Sequence, residues 1–185
     1  MDLNEKTIDR TVIYNGKIVD VEIHTVTLPN GETSTRELVY HNGAVAVCAV
    51  TVCAVTPKKE VLLVKQYRKP VEKPLLEIPA GKLEDDEDRV EAAKRELEEE
   101  TGYIAKELTH VVDMYGSPGF CDEQLSIYFT DNLEEGTVHL DEDEFVEVIK
   151  VPIENVKSML MNKEIEDAKT IIALQHLLLN YNHSK

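Results

Sequence analysis

Apolar residues in this chain gather mostly in short runs broken by turn dipeptides, and in only three stretches do they take helical spacing. Residues 11–14, 18–28 and 34–40 read as three strands. Asn15-Gly16 and Asn30-Gly31 separate them, and both pairs favour the tight turns of β-hairpins. The prediction is a three-stranded antiparallel sheet, which buries little alone and needs something to pack upon. Residues 45–56 and 60–67 follow as strands on either side of Pro57-Lys58-Lys59, and 73–80 as a short strand running into a loop. The β pattern resumes over 108–114, 124–130 and 144–150. Helical spacing appears at Val90, Ala93 and Leu97, over 153–161, and over 167–180, where Ile171, Ile172, Leu174, Leu177 and Leu178 form the apolar stripe. Mixed strands with a few helices on their faces predict an α+β protein with an α/β/α sandwich. Residues 1–42 form the small sheet in this reading, and 43–185 the main domain.

The first of these helices changes the picture most. It is expected to start near Asp86, whose carboxylate would cap free N–H groups, and to end at Gly102, suited to a left-handed C′ position. Glu91 and Arg95 are spaced to pair along its surface. Glu96, Glu99 and Glu100 fall at i, i+3 and i+4, so their carboxylates share one face. Like charges at this spacing repel by roughly a few tenths of a kcal/mol per pair, whereas hard divalent cations prefer oxygen ligands. A metal site is the simplest account of the cluster, with the backbone carbonyl of Ala80 facing the same cation.

Composition narrows the function classes. A chain of 185 residues suffices for one substantial core. The net charge of −16 argues against nonspecific nucleic-acid or anionic-membrane binding, since both need positive surface. It leaves room for an anionic small substrate, because bound metal reverses the local sign. Cys48, Cys53 and Cys121 show neither disulfide nor zinc spacing, and reduced thiols fit a cytoplasmic protein. The start MDLNEKTIDR lacks the regions of a secretory signal, and residues 44–55 are too few to span a bilayer. His41 and His110 have no second histidine at ligand spacing and receive no catalytic role.

Gly81, Glu87, Arg95, Glu96, Leu97, Glu99, Glu100 and Gly102 match the pattern G-x5-E-x7-R-E-U-x-E-E-x-G-U, in which U is bulky and apolar. The stretch resembles the Nudix box, departing only in the aromatic Tyr103 at the last apolar position. Pro118 within Ser117-Pro118-Gly119-Phe120 stands sixteen residues after Gly102, the spacing that marks ADP-ribose pyrophosphatases in this superfamily. Ser34-Thr35-Arg36-Glu37, the stretch from His41 to Val47, Gln66-Tyr67-Arg68, Glu77 to Gly81, Asp141 to Phe145 and Asp167 to Thr170 also resemble that subfamily. A proline is more usual where Asn42 stands.

The resemblance implies the Nudix fold and hydrolysis of ADP-ribose to AMP and ribose 5-phosphate. It implies two or three Mg²⁺ ions, with Mn²⁺ as a substitute, held by Ala80, Glu96, Glu99 and Glu100, with Glu144 joining on substrate binding. Arg95 would orient the carboxylates. Glu142 is the candidate to deprotonate the attacking water and Glu123 its rival, unless Glu123 holds the terminal ribose. Arg68 is suited to the diphosphate or adenine side, Ser117, Pro118 and Gly119 to the substrate loop, and Tyr14 to stacking on adenine. Arg36 and Glu37 would reach substrate across a homodimer built by swapping the N-terminal sheet. Two alternatives stay open. One is a Nudix hydrolase of another nucleoside diphosphate derivative, such as a nucleotide sugar, NADH or a dinucleoside polyphosphate. The other is a non-catalytic ADP-ribose sensor, which the intact glutamates disfavour.

Overall fold

The computed structural model describes residues 2–41, 48–84, 86–140 and 144–181. The chain forms two compact units, residues 1–47 with 115–124, and residues 48–114 with 125–185. In the first unit, β1 (Lys6–Asn15), β2 (Val19–Thr27) and β3 (Thr33–His41) form an antiparallel sheet with β2 central. Gly31 takes a φ of +85° in the β2–β3 turn, a conformation open to glycine at little cost. Glu22 lies almost buried on β2, with Arg10 and His24 as partners. Ile8, Val12, Ile13 and Tyr14 on β1 are more than half exposed.

The second unit contains β4 (Cys48–Ala54), β5 (Glu60–Arg68), β6 (Lys73–Glu77), β7 (Ala80–Lys82), α1 (Arg89–Thr101), β8 (Tyr103–Ala105), β9 (Thr109–Tyr115), β10 (Gln124–Thr130), β11 (Leu133–Glu135), β12 (Val146–Pro152), α2 (Ile153–Met161) and α3 (Ala168–Asn180). Strand order is β7-β4-β10-β9 in one sheet and β12-β5-β6 in another, with β11 and β8 paired. Alternation along the strands divides the core in two. Val50, Val52 and Ala54 on β4, Leu62 on β5 and Tyr128 on β10 pack with Ala92, Ala93 and Leu97 of α1. Cys53, Leu63 and Ile127, their neighbours in sequence, pack with Val156 of α2 and Ala173, Leu174 and Leu177 of α3. Period-two side chains thus feed both faces, and the unit is an α/β/α sandwich of mixed α+β character.

Two local departures from the expected elements have clear causes. Residues 73–80 are not one strand: β6 pairs with β5 and β7 with β4, and the chain changes sheets at Ile78-Pro79. The Pro79 carbonyl accepts from Val52 N at 3.0 Å and Thr51 Oγ1 at 2.8 Å, while Ile78 N donates to Thr170 Oγ1 at 2.9 Å. The short β8 and β11, three residues each, carry too little pattern to be read from sequence. This change of sheets delivers Ala80 and Gly81 to the front of α1.

Candidate active site

Helix α1 begins two residues later than the sequence suggests. Asp86 has a φ of +61°, outside helical geometry, and Asp88 is the cap, accepting from Val90 N at 2.8 Å and Glu91 N at 3.3 Å. Gly102 closes the helix at a φ of +72°, its N–H bonded to the Glu98 carbonyl at 2.7 Å. Between these ends the helix brings Glu96, Glu99 and Glu100 to one side. Glu91 pairs with Lys94, and the expected Glu91–Arg95 pair is replaced. Arg95 turns toward the β7–α1 loop, where its Nε and Nη2 each donate to Glu87 at 2.9 Å and Nη2 also reaches the Lys82 carbonyl at 3.0 Å. Its Nη1 donates to Glu96 and Glu99, both at 2.9 Å. One guanidinium therefore sets three carboxylates. That fork holds Glu87 below the usual carboxylate range and raises Arg95 above its own ordinary value.

The carboxylates differ in depth. Glu100 is 1% exposed and accepts from Ala80 N at 3.0 Å. Burial pushes its carboxyl up to about 8 against that hydrogen bond, with Glu144 and Glu96 adding to the rise. Burial also raises Glu96, partly offset by Arg95. Glu144, just ahead of β12, accepts from Gln66 Nε2 at 3.5 Å because the β5–β12 register sets Gln66 opposite Val146. Gln66, Ala80, Gly81, Lys82, Glu96, Glu99 and Glu144 line a cleft of about 460 Å³, and the buried Glu100 joins it through its bond to Ala80 N. A raised carboxyl, crowded carboxylates and an all-oxygen donor set are what a hard divalent cation such as Mg²⁺ fits. Ala80, Glu96, Glu99, Glu100 and Glu144 are the residues that would hold it.

Gly81 owes its identity to close approach. A Cβ there would stand 1.9 Å from the Glu96 carboxyl carbon and 2.1 Å from both its oxygens. Gly81→Ala is therefore expected to swing Glu96 out of the cluster, lowering metal-dependent turnover by about tenfold or more while shifting the unfolding midpoint little. Equal turnover in the variant would mean that the position of Glu96 does not matter.

Glu142 falls outside the described residues, as do Asp141 and Asp143. Arg68 has Nε and Nη2 on Glu77 at 2.7 and 2.8 Å, the geometry of an ion pair within the fold. In the first unit, Arg36 bonds to Glu5, with Nε at 2.9 Å, and Glu37 beside it is exposed. Ser117, Pro118 and Gly119 are exposed in a turn whose Ser117 carbonyl accepts from Phe120 N and Cys121 N. Glu123 stands 3.8 Å from His41 Nε2. Gln66 received no role from the sequence; the segment Gln66-Tyr67-Arg68 was the available signal.

The NUDIX domain family matches residues 45–174, which span the cleft and both halves of the core. The chain belongs to the Nudix family. An ADP-ribose pyrophosphatase of Bacillus subtilis is 48% identical over 179 residues, covering 96% of this chain and 94% of the relative. A Bacillus methanolicus protein named methanol dehydrogenase activator is 45% identical over 177 residues, covering 95% and 93%. A crystal structure of an ADP compounds hydrolase superposes with a TM-score of 0.86 at 21% identity, covering 99% of this chain and 97% of that one, which establishes the Nudix fold. Nudix hydrolases generally need a divalent metal. Among the described residues of this Nudix protein, no helix is long and apolar enough to cross a membrane.

Proposed function

We propose that this Nudix enzyme hydrolyses the diphosphate bond of ADP-ribose, giving AMP and ribose 5-phosphate. The observation that carries the reading is the gathering of Glu96, Glu99 and Glu144 at one cleft, set by Arg95 and given room by Gly81, with Glu100 bonded to Ala80 N of the same cleft. The 48% identical relative supplies the substrate. The name methanol dehydrogenase activator describes an effect on another enzyme and indicates no substrate for this chain.

A diphosphate linkage repels hydroxide, so its hydrolysis needs its oxygens neutralised and a water activated in line with the scissile bond. Two or three Mg²⁺ ions, with Mn²⁺ as substitute, would supply that charge and acidify the water when bound. The chain's own residues set the geometry. Arg95 keeps Glu96 and Glu99 turned to the cleft, and Ala80 N fixes Glu100. Glu142 takes the proton of the attacking water, with Glu123 the alternative base or the holder of the terminal ribose. Arg36, Glu37, Ser117, Pro118 and Gly119 contact substrate, Arg68 adds its charge near the diphosphate, and Tyr14 stacks on adenine. The exposed Ile8, Val12, Ile13 and Tyr14 of β1 support a homodimer with swapped N-terminal sheets. The unpaired Cys53 and Cys121 are in keeping with a cytoplasmic enzyme.

The test is product release from ADP-ribose with Mg²⁺, beside NADH, a nucleotide sugar and a diadenosine polyphosphate, each repeated with EDTA. The expected result is EDTA-sensitive AMP and ribose 5-phosphate, with ADP-ribose preferred. Preference for another substrate would keep the site and reject this specificity. Binding of ADP-ribose without cleavage would favour a sensor.

A further inference from the structure

Outside the carboxylate cleft, one cluster joins three kinds of metal-binding side chain. A ring nitrogen of His41, the Cys121 sulfur and a carboxylate oxygen of Asp122 lie within 4.8 Å of one another. The backbone builds this cluster within the first unit. His41 ends β3, and Val39 N donates to the Phe120 carbonyl at 2.8 Å while Val39 and Cys121 form a parallel bridge. The loop strand and the end of β3 therefore run side by side at the cluster.

The cluster is incomplete as a hydrogen-bonded set. His41 Nδ1 and Asp122 Oδ1 are both buried with no partner among the described residues. The Glu123 carboxylate stands 3.8 Å from the opposite ring nitrogen, Nε2. A carboxylate on that side favours the ring proton there and leaves a lone pair on Nδ1. Nδ1 and Oδ1 are then two buried acceptors without a donor, beside a thiol that is in no disulfide. Buried polar atoms ordinarily have partners. A cation would meet the need of both acceptors and of a Cys121 thiolate together.

We propose that His41, Cys121 and Asp122 form a site for a thiophilic divalent ion, Zn²⁺ in particular, with Glu123 fixing the imidazole from behind. Sulfur with nitrogen and one carboxylate suits Zn²⁺, whereas Mg²⁺ prefers oxygen alone. Ligand atoms around a tetrahedral zinc stand about 3.3–3.8 Å apart, so no pair of the three needs to close by more than about 1.5 Å. The fourth position is left to water or an added ligand. Binding would tie the Ser117–Glu123 turn to the end of β3. This site is distinct in ligand chemistry from the carboxylate cleft and does not depend on the substrate assigned there.

Cobalt(II) tests the proposal, because a thiolate ligand gives a sulfur-to-cobalt charge-transfer band that carboxylate sites lack. The full-length protein, reduced and held in excess Mg²⁺ to fill oxygen sites, is titrated with Co²⁺. The expected result is a thiolate band saturating at one equivalent and displaced by Zn²⁺. Cys121→Ser should abolish it. His41→Gln and Asp122→Asn should each weaken Co²⁺ binding by at least about tenfold, and Glu123→Gln by about tenfold. Absence of the band from the wild type overturns the proposal. So does a band that survives Cys121→Ser, which would place the metal on Cys48 or Cys53; burial pushes the Cys53 thiol up to about 12 and disfavours its thiolate. Should Cys121→Ser fail to fold, unchanged Co²⁺ affinity in both His41→Gln and Asp122→Asn overturns it equally.

Discussion

Glu99→Gln lowers kcat for the diphosphate substrate by about 10³-fold, equivalent to roughly 4 kcal/mol of transition-state stabilisation. The side chain is half-exposed on α1 and its hydrogen-bond partner is Arg95, at 2.9 Å. An amide of the same shape leaves the helix and its core stripe undisturbed while removing one of the anionic oxygens that would hold a cation at the cleft. The unfolding free energy should therefore stay within about 0.5 kcal/mol of the wild type, as for most surface substitutions. Steady-state turnover and denaturant unfolding on the same preparation decide the matter. Turnover within a few fold of the wild type would remove Glu99 from the metal set, and a large loss of stability would assign it to the fold instead.

Glu77→Ala destabilises the protein by roughly 3–5 kcal/mol, the cost of breaking a buried charged network. Glu77 is 2% exposed at the end of β6 and receives Arg68 Nε and Nη2 at 2.7 and 2.8 Å. Lys169 of α3, itself nearly buried, bonds to the same carboxylate and lies 3.0 Å from Asp167, the cap of α3. Removing the carboxylate leaves Lys169 buried with less compensation and removes the ionic tie between α3 and β6. The same group gives a pH signature. Burial opposes the ionisation of Glu77, but Arg68 and Lys169 outweigh it and hold the carboxyl below its ordinary value. The unfolded chain then binds the proton more readily, so this stabilisation is complete above about pH 4.3 and is lost as pH falls through the lower folded value. Denaturant midpoints between neutral and strongly acidic pH should decline less steeply for Glu77→Gln than for the wild type. Parallel declines, or an alanine variant within about 1 kcal/mol of the wild type, would reduce this triad to a surface-like contact.

The two sequence periods proved legible for most long elements, although β1 begins at Lys6, five residues before the strand expected at 11–14, because Lys6 to Arg10 are largely polar and gain strand structure by pairing with β2. Helix α2 and strand β10 match their expected limits, and α3 differs only in that Asp167 caps it. The start of α1 was misread because Asp86 and Asp88 are chemically equivalent as caps; only the backbone at Asp86 excludes it. Arg95 was correctly spaced to meet Glu91, yet the β7–α1 loop offered it Glu87 and the Lys82 carbonyl. An exposed i,i+4 pair is too weak to compete with that arrangement. The pairing of Arg68 with the buried Glu77 was likewise not legible, since nothing local marks a glutamate nine residues away as its partner.

By itself the sequence determined what depends on neighbours along the chain. It set the strand faces, the three glutamates on one side of α1, the glycine that ends that helix and the family to which the chain belongs. The faces follow from fixed periods of backbone geometry, the glycine from its tolerance of a left-handed backbone, and the family from the resemblance of Gly81 to Tyr103 to the Nudix box. Only the tertiary structure decided which distant groups meet. Strand register brought Glu144 to Gln66, the change of sheets after β6 pressed Gly81 against Glu96, and the packing of α3 placed Lys169 on Glu77. The bridge from β3 to the Ser117–Glu123 turn brought His41 to Cys121 and Asp122, eighty residues further along the chain. Such meetings are set by register and packing between elements far apart in sequence, and local residue spacing does not encode them.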